Sequence, residues 1–227
     1  MISRGNNLIY KLGEEIMLKN SYTNFAELQQ KEQEKIDYSI TAYYRNPDIA
    51  VLAIHGGNIE PGTSEIAVAL GEKLNASTYL FEGLKKRNNQ ILHITSNLFD
   101  EPIGVRIASN AMTNLSIHGH YDIHNALVYI GGRDEAYKRL IEHSLNSAGF
   151  QTDDAPRHLS GMGERNLTNL CKTGKGVQLE LSTKLRKNFF KEDNFTRKNR
   201  KNQSELLNRF VNALEKATIS YKQNFYS

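Results

Sequence analysis

Apolar positions along the chain fall into short continuous or alternating runs, separated by stretches of helical period. Residues 49–54 (IAVLAI) are an unbroken apolar run, the pattern of a strand buried on both faces. HGGNIEPGT follows, which is glycine- and proline-rich loop chemistry. Thr63 or Ser64 then caps a helix, SEIAVALGEKL, with Ile66, Val68, Ala69 and Leu70 on its apolar side. Further strands are predicted over 77–82 (STYLFE), 90–95 (QILHIT), 113–118 (TNLSIH), 126–130 (ALVYI) and 176–182 (GVQLELS). Helical period marks 22–36, 134–148 and 204–221, with Gly149 as a stop signal for the second.

Strands and helices alternate throughout. The pattern predicts an α/β fold with a mixed, largely parallel sheet flanked by helices. Residues 1–21 read as an N-terminal extension and 22–227 as a single catalytic domain. Residues 186–203 (RKNFFKEDNFTRKNRKNQ) are basic and polar and read as a surface loop or subdomain edge.

Composition narrows the classes. Apolar residues at 39% and charged residues at 24% suit a packed core and argue against global disorder. No apolar run is long enough to span a bilayer. The N-terminus lacks the apolar core of a signal peptide, so the expectation is a cytoplasmic protein with no membrane partner, released by lysis if its target is extracellular. The single cysteine, Cys171, can form no internal disulfide and brings no CxxC partner. A net charge of +4 is compatible with any acidic partner and selects none.

The candidate chemistry lies in the histidines. His55, His93 and His118 each close a predicted strand, where ligands gather in open α/β sheets. Glu60 follows His55 inside the glycine-rich loop, which can curl its carboxylate back toward the imidazole. Two histidines and one carboxylate form a common catalytic zinc set, so His55, Glu60 and a later histidine are the candidate ligands. Glu180 stands out in VQLELS: on a strand Val177, Leu179 and Leu181 face one way and Gln178, Glu180 and Ser182 the other. A carboxylate in a central strand needs a partner or a task, and taking a proton from a metal-activated water is such a task. The loop lacks the phosphate-cradling spacings GxxxxGK[ST] and GxGxxG, and no GxSxG elbow occurs.

AIHGGNIEPGTSEIA, YLFEGLK, LHITS with FDEP, SIHGH, VYIGGRD and GVQLELS occur in the order found in the poly-γ-glutamate hydrolases of phages and prophages of bacilli, which the chain resembles from about Tyr22 to about Phe190. Some members carry the label phage-related replication protein. The resemblance implies a zinc-dependent peptidase with a fold similar to zinc carboxypeptidases, cutting γ-linked amide bonds between glutamates. By motif it puts the zinc ligands on His55, Glu60 and His118, with His120 on the same strand face as the alternative third ligand, and matches Glu180 to the general base. The five-residue step from His55 to Glu60 is longer than the HxxE of carboxypeptidases, so the loop geometry must differ.

On this reading a zinc-bound water attacks the amide and Glu180 carries the proton to the leaving amine. Arg186 is the first candidate for the cation that steadies the oxyanion. Arg87, His93, Arg133 and Arg165 are candidates for substrate contact, since arginines grip carboxylates through paired donors. The partner is then an anionic γ-glutamyl chain. One alternative is a zinc amidohydrolase of small N-acyl or γ-glutamyl compounds or cell-wall peptides. The other is a nucleic-acid binder whose basic stretch offers Phe189, Phe190 and Phe195 for stacking, which leaves His55, Glu60 and Glu180 without a role.

Overall fold

The computed structural model describes residues 22–225, together with Lys11–Leu12 and Glu15–Ile16, whose backbones pair antiparallel. The expected extension over 1–21 otherwise lies outside the described residues.

The chain runs α1 (Phe25–Lys31), β1 (Tyr38–Tyr43), β2 (Asn46–Gly57), α2 (Thr63–Leu74), β3 (Ala76–Gly83), α3 (Pro102–Asn110), β4 (Thr113–His120), β5 (Leu127–Gly132), α4 (Glu135–Ser147), β6 (Gln151–Asp154), β7 (Val177–Ser182), α5 (Thr183–Asn188) and α6 (Glu205–Phe225). The strands form a seven-stranded sheet in the order β1-β3-β2-β4-β7-β5-β6. The inner strands β3, β2, β4 and β7 are parallel. β1 and β5 pair antiparallel with β3 and β7, and β6 is parallel to β5. The sheet is therefore mixed, with a parallel centre, as the alternating pattern implied.

Strand alternation divides the core. One face presents Val51, Ala53, Leu115, Ile117, Leu179 and Leu181 to the buried stripes of α2, α4 and α6. The other presents Ala50, Leu52, Ile54, Tyr79 and Phe81 to Phe25, Phe99 and Ile107 from the α1 and α3 side. On β4 and β7 that second face turns polar. Asn114, Ser116, His118, Gln178 and Glu180 all lie buried there, and residues 157–170 cover them. Asn114 Nδ2 donates to Leu167 O and Thr168 O at 3.3 and 3.1 Å, and Thr168 Oγ1 donates to Ser116 Oγ at 2.6 Å. Buried polar side chains persist where such partners exist, so this irregular segment makes a polar layer within the fold tolerable.

Several elements depart from the sequence expectation. Residues 90–95 are no strand: a 3₁₀ turn spans Asn89–Leu92 and His93 follows in extended backbone. A short apolar run does not distinguish the two. The first helix covers Phe25–Lys31 only, with Asn24 as its cap. The cap of α2 is Gly62, at φ 101° and with no side-chain hydrogen bond, and the expected capping hydroxyls hold the preceding loop instead. β1, β6, α3 and α5 carried no recognisable signal; α3 is capped by Glu101, whose carboxylate accepts from Ile103 N and Gly104 N. Among the described residues, no helix is long and apolar enough to cross a membrane.

Candidate metal centre

The chain leaves β2 for β3 on one side of the sheet, while β4 lies on the other side of β2. This reversal is where open α/β sheets form ligand crevices, beyond the carboxyl ends of the strands. His55 and His118 each lie two residues before the end of their strands, β2 and β4, so both histidines reach the crevice.

The loop after β2 then delivers Glu60. Glu60 N donates to His55 O at 2.8 Å, closing a five-residue turn. Thr63 Oγ1 donates to Glu60 O at 2.9 Å, and Ser64 Oγ accepts from Gly57 N at 3.0 Å. Gly56 permits this closeness, because a Cβ there would lie 2.1 Å from Ser64 Oγ. The carboxylate thus turns back onto the imidazole: Glu60 Oε1 is 3.0 Å from His55 Nδ1, and Oε2 accepts from Gly119 N at 2.9 Å.

His118 completes the group. Its Nδ1 lies 3.2 Å from His55 Nδ1 and 3.7 Å from Glu60 Oε2. His93 stacks on His55 with ring centroids 3.8 Å apart, and its Nε2 is 3.9 Å from Glu60 Oε1. His55, Glu60 and His93 have ligand atoms within 4.8 Å of one another and form a candidate metal site. His118 lies nearer than His93 to the carboxylate they share.

The protonation pattern tests whether this group fits a cation. His55 Nε2 is 2.8 Å from Ile94 O. A carbonyl only accepts, so Nε2 carries the proton and Nδ1 presents a lone pair. In the neutral ring that lone pair faces a carboxylate oxygen and lies close to His118 Nδ1, and either a proton on Nδ1 or a metal cation among the donors satisfies the group. Donor atoms about 2.0–2.1 Å from a tetrahedral zinc stand about 3.3–3.4 Å apart, and the separations of 3.0, 3.2 and 3.7 Å bracket that figure. The residues fit. Burial alone would raise the Glu60 carboxyl, but charge and hydrogen bonding from His55 and His118 hold it well below the ordinary carboxylate range. Burial, then the neighbouring His55, pushes His93 down to about 3, so it stays neutral.

Glu180 stands directly beside His118 in the parallel register of β4 and β7. It is buried in a central strand rather than solvated at an edge. Burial, and then the charge of Glu60, push its carboxyl well above the ordinary range, with His55 and Arg186 opposing. Gln178 Nε2 donates to Glu180 Oε1 at 3.0 Å and to Leu159 O at 2.9 Å. Asn166 Nδ2 donates to Gln178 Oε1 at 3.1 Å. Sequence reading missed this support, although the period-two pattern already placed Gln178 and Glu180 on one face.

Of the other expected site residues, His120 and Arg186 are joined by a hydrogen bond, while Arg87, Arg133 and Arg165 lie nearer the surface. His120 Nδ1 lies 3.1 Å from Glu180 O and its ring is 5.0 Å from that of Tyr129, so His120 packs toward β7 and β5. Arg186 is buried, and its guanidinium donates to Leu181 O, Pro61 O and His120 O at 3.0–3.1 Å. Arg87 and Arg165 are exposed, and Arg133 lies 3.8 Å from the exposed Glu164. Arg200 was not anticipated: buried in the basic stretch, it donates to Glu65 Oε1 at 2.7 Å and to Asn58 Oδ1 at 3.0 Å, bracing the start of the Glu60 loop.

Fold and site together define a mixed α/β protein with a candidate metal site at the switch point of its sheet. The chain belongs to the poly-γ-glutamate hydrolase family, whose model matches residues 22–213. It is 38% identical over 179 residues to UPF0714 protein YndL of Bacillus subtilis (strain 168), covering 77% of this chain and 69% of YndL. A solved bacteriophage poly-γ-glutamate hydrolase matches with a TM-score of 0.89 at 32% identity, covering 91% of this chain and 100% of that one. The zinc-free apo structure of YndL matches with a TM-score of 0.82 at 35% identity, over 92% of this chain and 100% of that one.

Proposed function

We propose that this chain is a zinc-dependent hydrolase of γ-glutamyl amide bonds in poly-γ-glutamate, with zinc on His55, Glu60 and His118 and Glu180 as general base. The observation that carries the reading is the convergence of His55 Nδ1, the Glu60 carboxylate and His118 Nδ1, three potential ligand atoms facing one another beside a buried carboxyl. Membership in a poly-γ-glutamate hydrolase family supports the substrate. A relative solved in a form called zinc-free supports the metal.

Zinc supplies a Lewis acid that polarises the scissile carbonyl and lowers the pKa of a coordinated water. The protein's share is positional and protonic. Glu180, with its affinity for a proton raised by burial, takes one proton from the attacking water and delivers it to the nitrogen of the departing amine. Gln178 holds Oε1 of that carboxylate by donation, leaving Oε2 for the proton. Ile94 O fixes the tautomer of His55, the kind of outer contact that orients metal ligands. His93 serves as a neutral wall stacked against His55. Arg186 contributes by holding Pro61 O and His120 O, one on each ligand-bearing segment. Arg87, Arg133 and Arg165 remain candidates for substrate carboxylates.

Size-exclusion chromatography of long poly-γ-glutamate after incubation, with and without a zinc chelator, tests the reading. A shift to short chains that the chelator abolishes is expected. An unshifted polymer alongside stoichiometric bound zinc would move the substrate to small γ-glutamyl or N-acyl compounds.

A further inference from the structure

Two basic runs, distant in sequence, lie side by side next to the candidate metal centre. Lys85, Lys86 and Arg87 follow β3, while Arg197, Lys198, Arg200 and Lys201 belong to the loop before α6. Arg197 Nη1 donates to Leu84 O at 3.4 Å, which joins the runs directly. Asn58 joins both to the site: it accepts from Arg200 Nη1 at 3.0 Å and donates to Lys85 O at 3.3 Å, two residues before Glu60. The first run also continues through the 3₁₀ turn to His93, which is stacked on His55.

Within this strip two cations are already neutralised. Lys85 pairs with Glu32 and Asp37, and Arg200 with Glu65. Lys86, Arg87, Arg197, Lys198 and Lys201 are exposed, and among the described residues none has a carboxylate oxygen within 4.0 Å. These five charges exceed the net charge of the whole chain, +4. These five, of the 29 lysines and arginines in the chain, lie on the flank of the loop that carries Glu60.

The strip offers charge without stacking surfaces. Phe189 and Phe190 are buried at 0% and 1% exposure in the core. Phe195 packs partly buried against that core, beneath Arg186 and Lys187. A single-stranded nucleic acid gains much of its affinity from bases stacked on aromatic rings, and the basic stretch presents none for that use. A chain of carboxylates needs cations alone.

We propose that Lys86, Arg87, Arg197, Lys198 and Lys201 form a docking track for a polyanionic polycarboxylate chain, holding long substrate at points remote from the bond being cut. The proposal rests on the hydrolase reading and locates its substrate on one side of the centre. Charge gathered beside a site raises the local concentration of an oppositely charged ligand in a salt-dependent way.

The test is the double variant Lys86→Glu/Arg197→Glu, both positions exposed, with melting temperature as the folding control. Turnover is measured on long poly-γ-glutamate and on γ-linked diglutamate, and binding of the labelled polymer is followed by fluorescence anisotropy. At low salt the variant should show a KM for the polymer raised by about ten-fold, with kcat and the diglutamate KM unchanged. The gap should close near 0.5 M salt, where the screening length is only about 4 Å. Equal losses on both substrates, or an unchanged polymer KM, overturn the track. If the wild type cleaves neither substrate, the hydrolase reading fails alone, and the anisotropy arm still decides: the track stands only if the wild type binds the polymer and the variant binds it more weakly. A single-stranded DNA of matched charge that binds more tightly than the polymer, and is lost in the variant, overturns it in favour of nucleic acid.

Discussion

Among the described residues, a buried polar cluster on each face of the sheet invites comparison, and the pair are built on opposite rules. Behind the sheet, Asp134 Oδ1 accepts from Tyr137 N at 3.0 Å and Oδ2 accepts from the Tyr221 hydroxyl. Tyr137 OH meets Thr218 Oγ1 at 2.6 Å, and Thr218 Oγ1 donates to Leu214 O at 2.7 Å. Each donor finds an acceptor, and the cluster joins α4 to α6. At the crevice, two imidazole Nδ1 atoms crowd around the Glu60 carboxylate, and the Nε2 atoms of His118 and His120 are buried without a hydrogen-bond partner. Unsatisfied buried polar groups cost stability. The difference teaches that the first cluster pairs its own donors with its own acceptors, whereas the second gathers atoms of the kind that could hold a cation.

The largest test of that contrast is at the third ligand. His118→Ala should abolish stoichiometric zinc retention in equilibrium dialysis, whereas His93→Ala should weaken zinc about ten- to hundred-fold, the usual cost of a supporting residue. A reversed order would make His93 the ligand, with His118 the supporting group. Next, Glu180→Gln should lower kcat on poly-γ-glutamate by about a thousand-fold while zinc content is kept. Its melting temperature should not fall, since the change removes a carboxyl whose ionisation is disfavoured by burial. A proportionate loss of stability would make Glu180 a structural residue.

Third comes acid stability in the zinc-free protein. His93 has a folded-state pKa of about 3 against an ordinary 6.5, so between those values the unfolded chain binds the extra proton. Stability is therefore present above pH 6.5 and falls as pH drops toward 3, by no more than about 5 kcal/mol at about 1.4 kcal/mol per pH unit. Urea titrations should show His93→Gln losing less stability over that window; parallel curves would remove His93 as the cause. The smallest effect is expected behind the sheet. Tyr221→Phe should cost about 2 kcal/mol of unfolding free energy, by removing a donor to a buried carboxylate, with turnover per folded molecule unchanged. A loss of turnover at intact folding would show that the two clusters are coupled through the sheet.

Much of this arrangement was readable from sequence wherever a periodic pattern and a chemical exception coincided. IAVLAI followed by HGG marked β2 and its loop, and the structure adds the turn from Glu60 N to His55 O that aims the carboxylate. GVQLELS marked β7 and, by alternation, the buried face of Glu180. The short edge strand β6, QTDD, went unrecognised because three of its four residues are exposed and none is apolar. His93 was misplaced on a strand because ILHIT is apolar enough for one, whereas a 3₁₀ turn and the stack on His55 decide its position. The basic stretch holds two inward-facing arginines, of which Arg186 was expected at the site and Arg200 was not. Charge patterning implies solvent exposure, and only the carbonyls around Arg186 and the Glu65 carboxylate beside Arg200 reveal the exceptions.

Arg186 has a consequence for how the molecule opens. Its guanidinium donates to carbonyls from the Glu60 loop, the end of β4 and the end of β7, and it lies so close to Gly119 that a Cβ there would sit 2.4 Å from its Cζ. A glycine-rich surface loop would ordinarily fray on its own, at a small fraction of the global unfolding free energy. Here fraying would strip the buried cation of its hydrogen bonds while leaving it in the interior. The loop is thereby merged into the same cooperative unit as the parallel centre of the sheet, so its amides should exchange with solvent in step with those of β4 and β7.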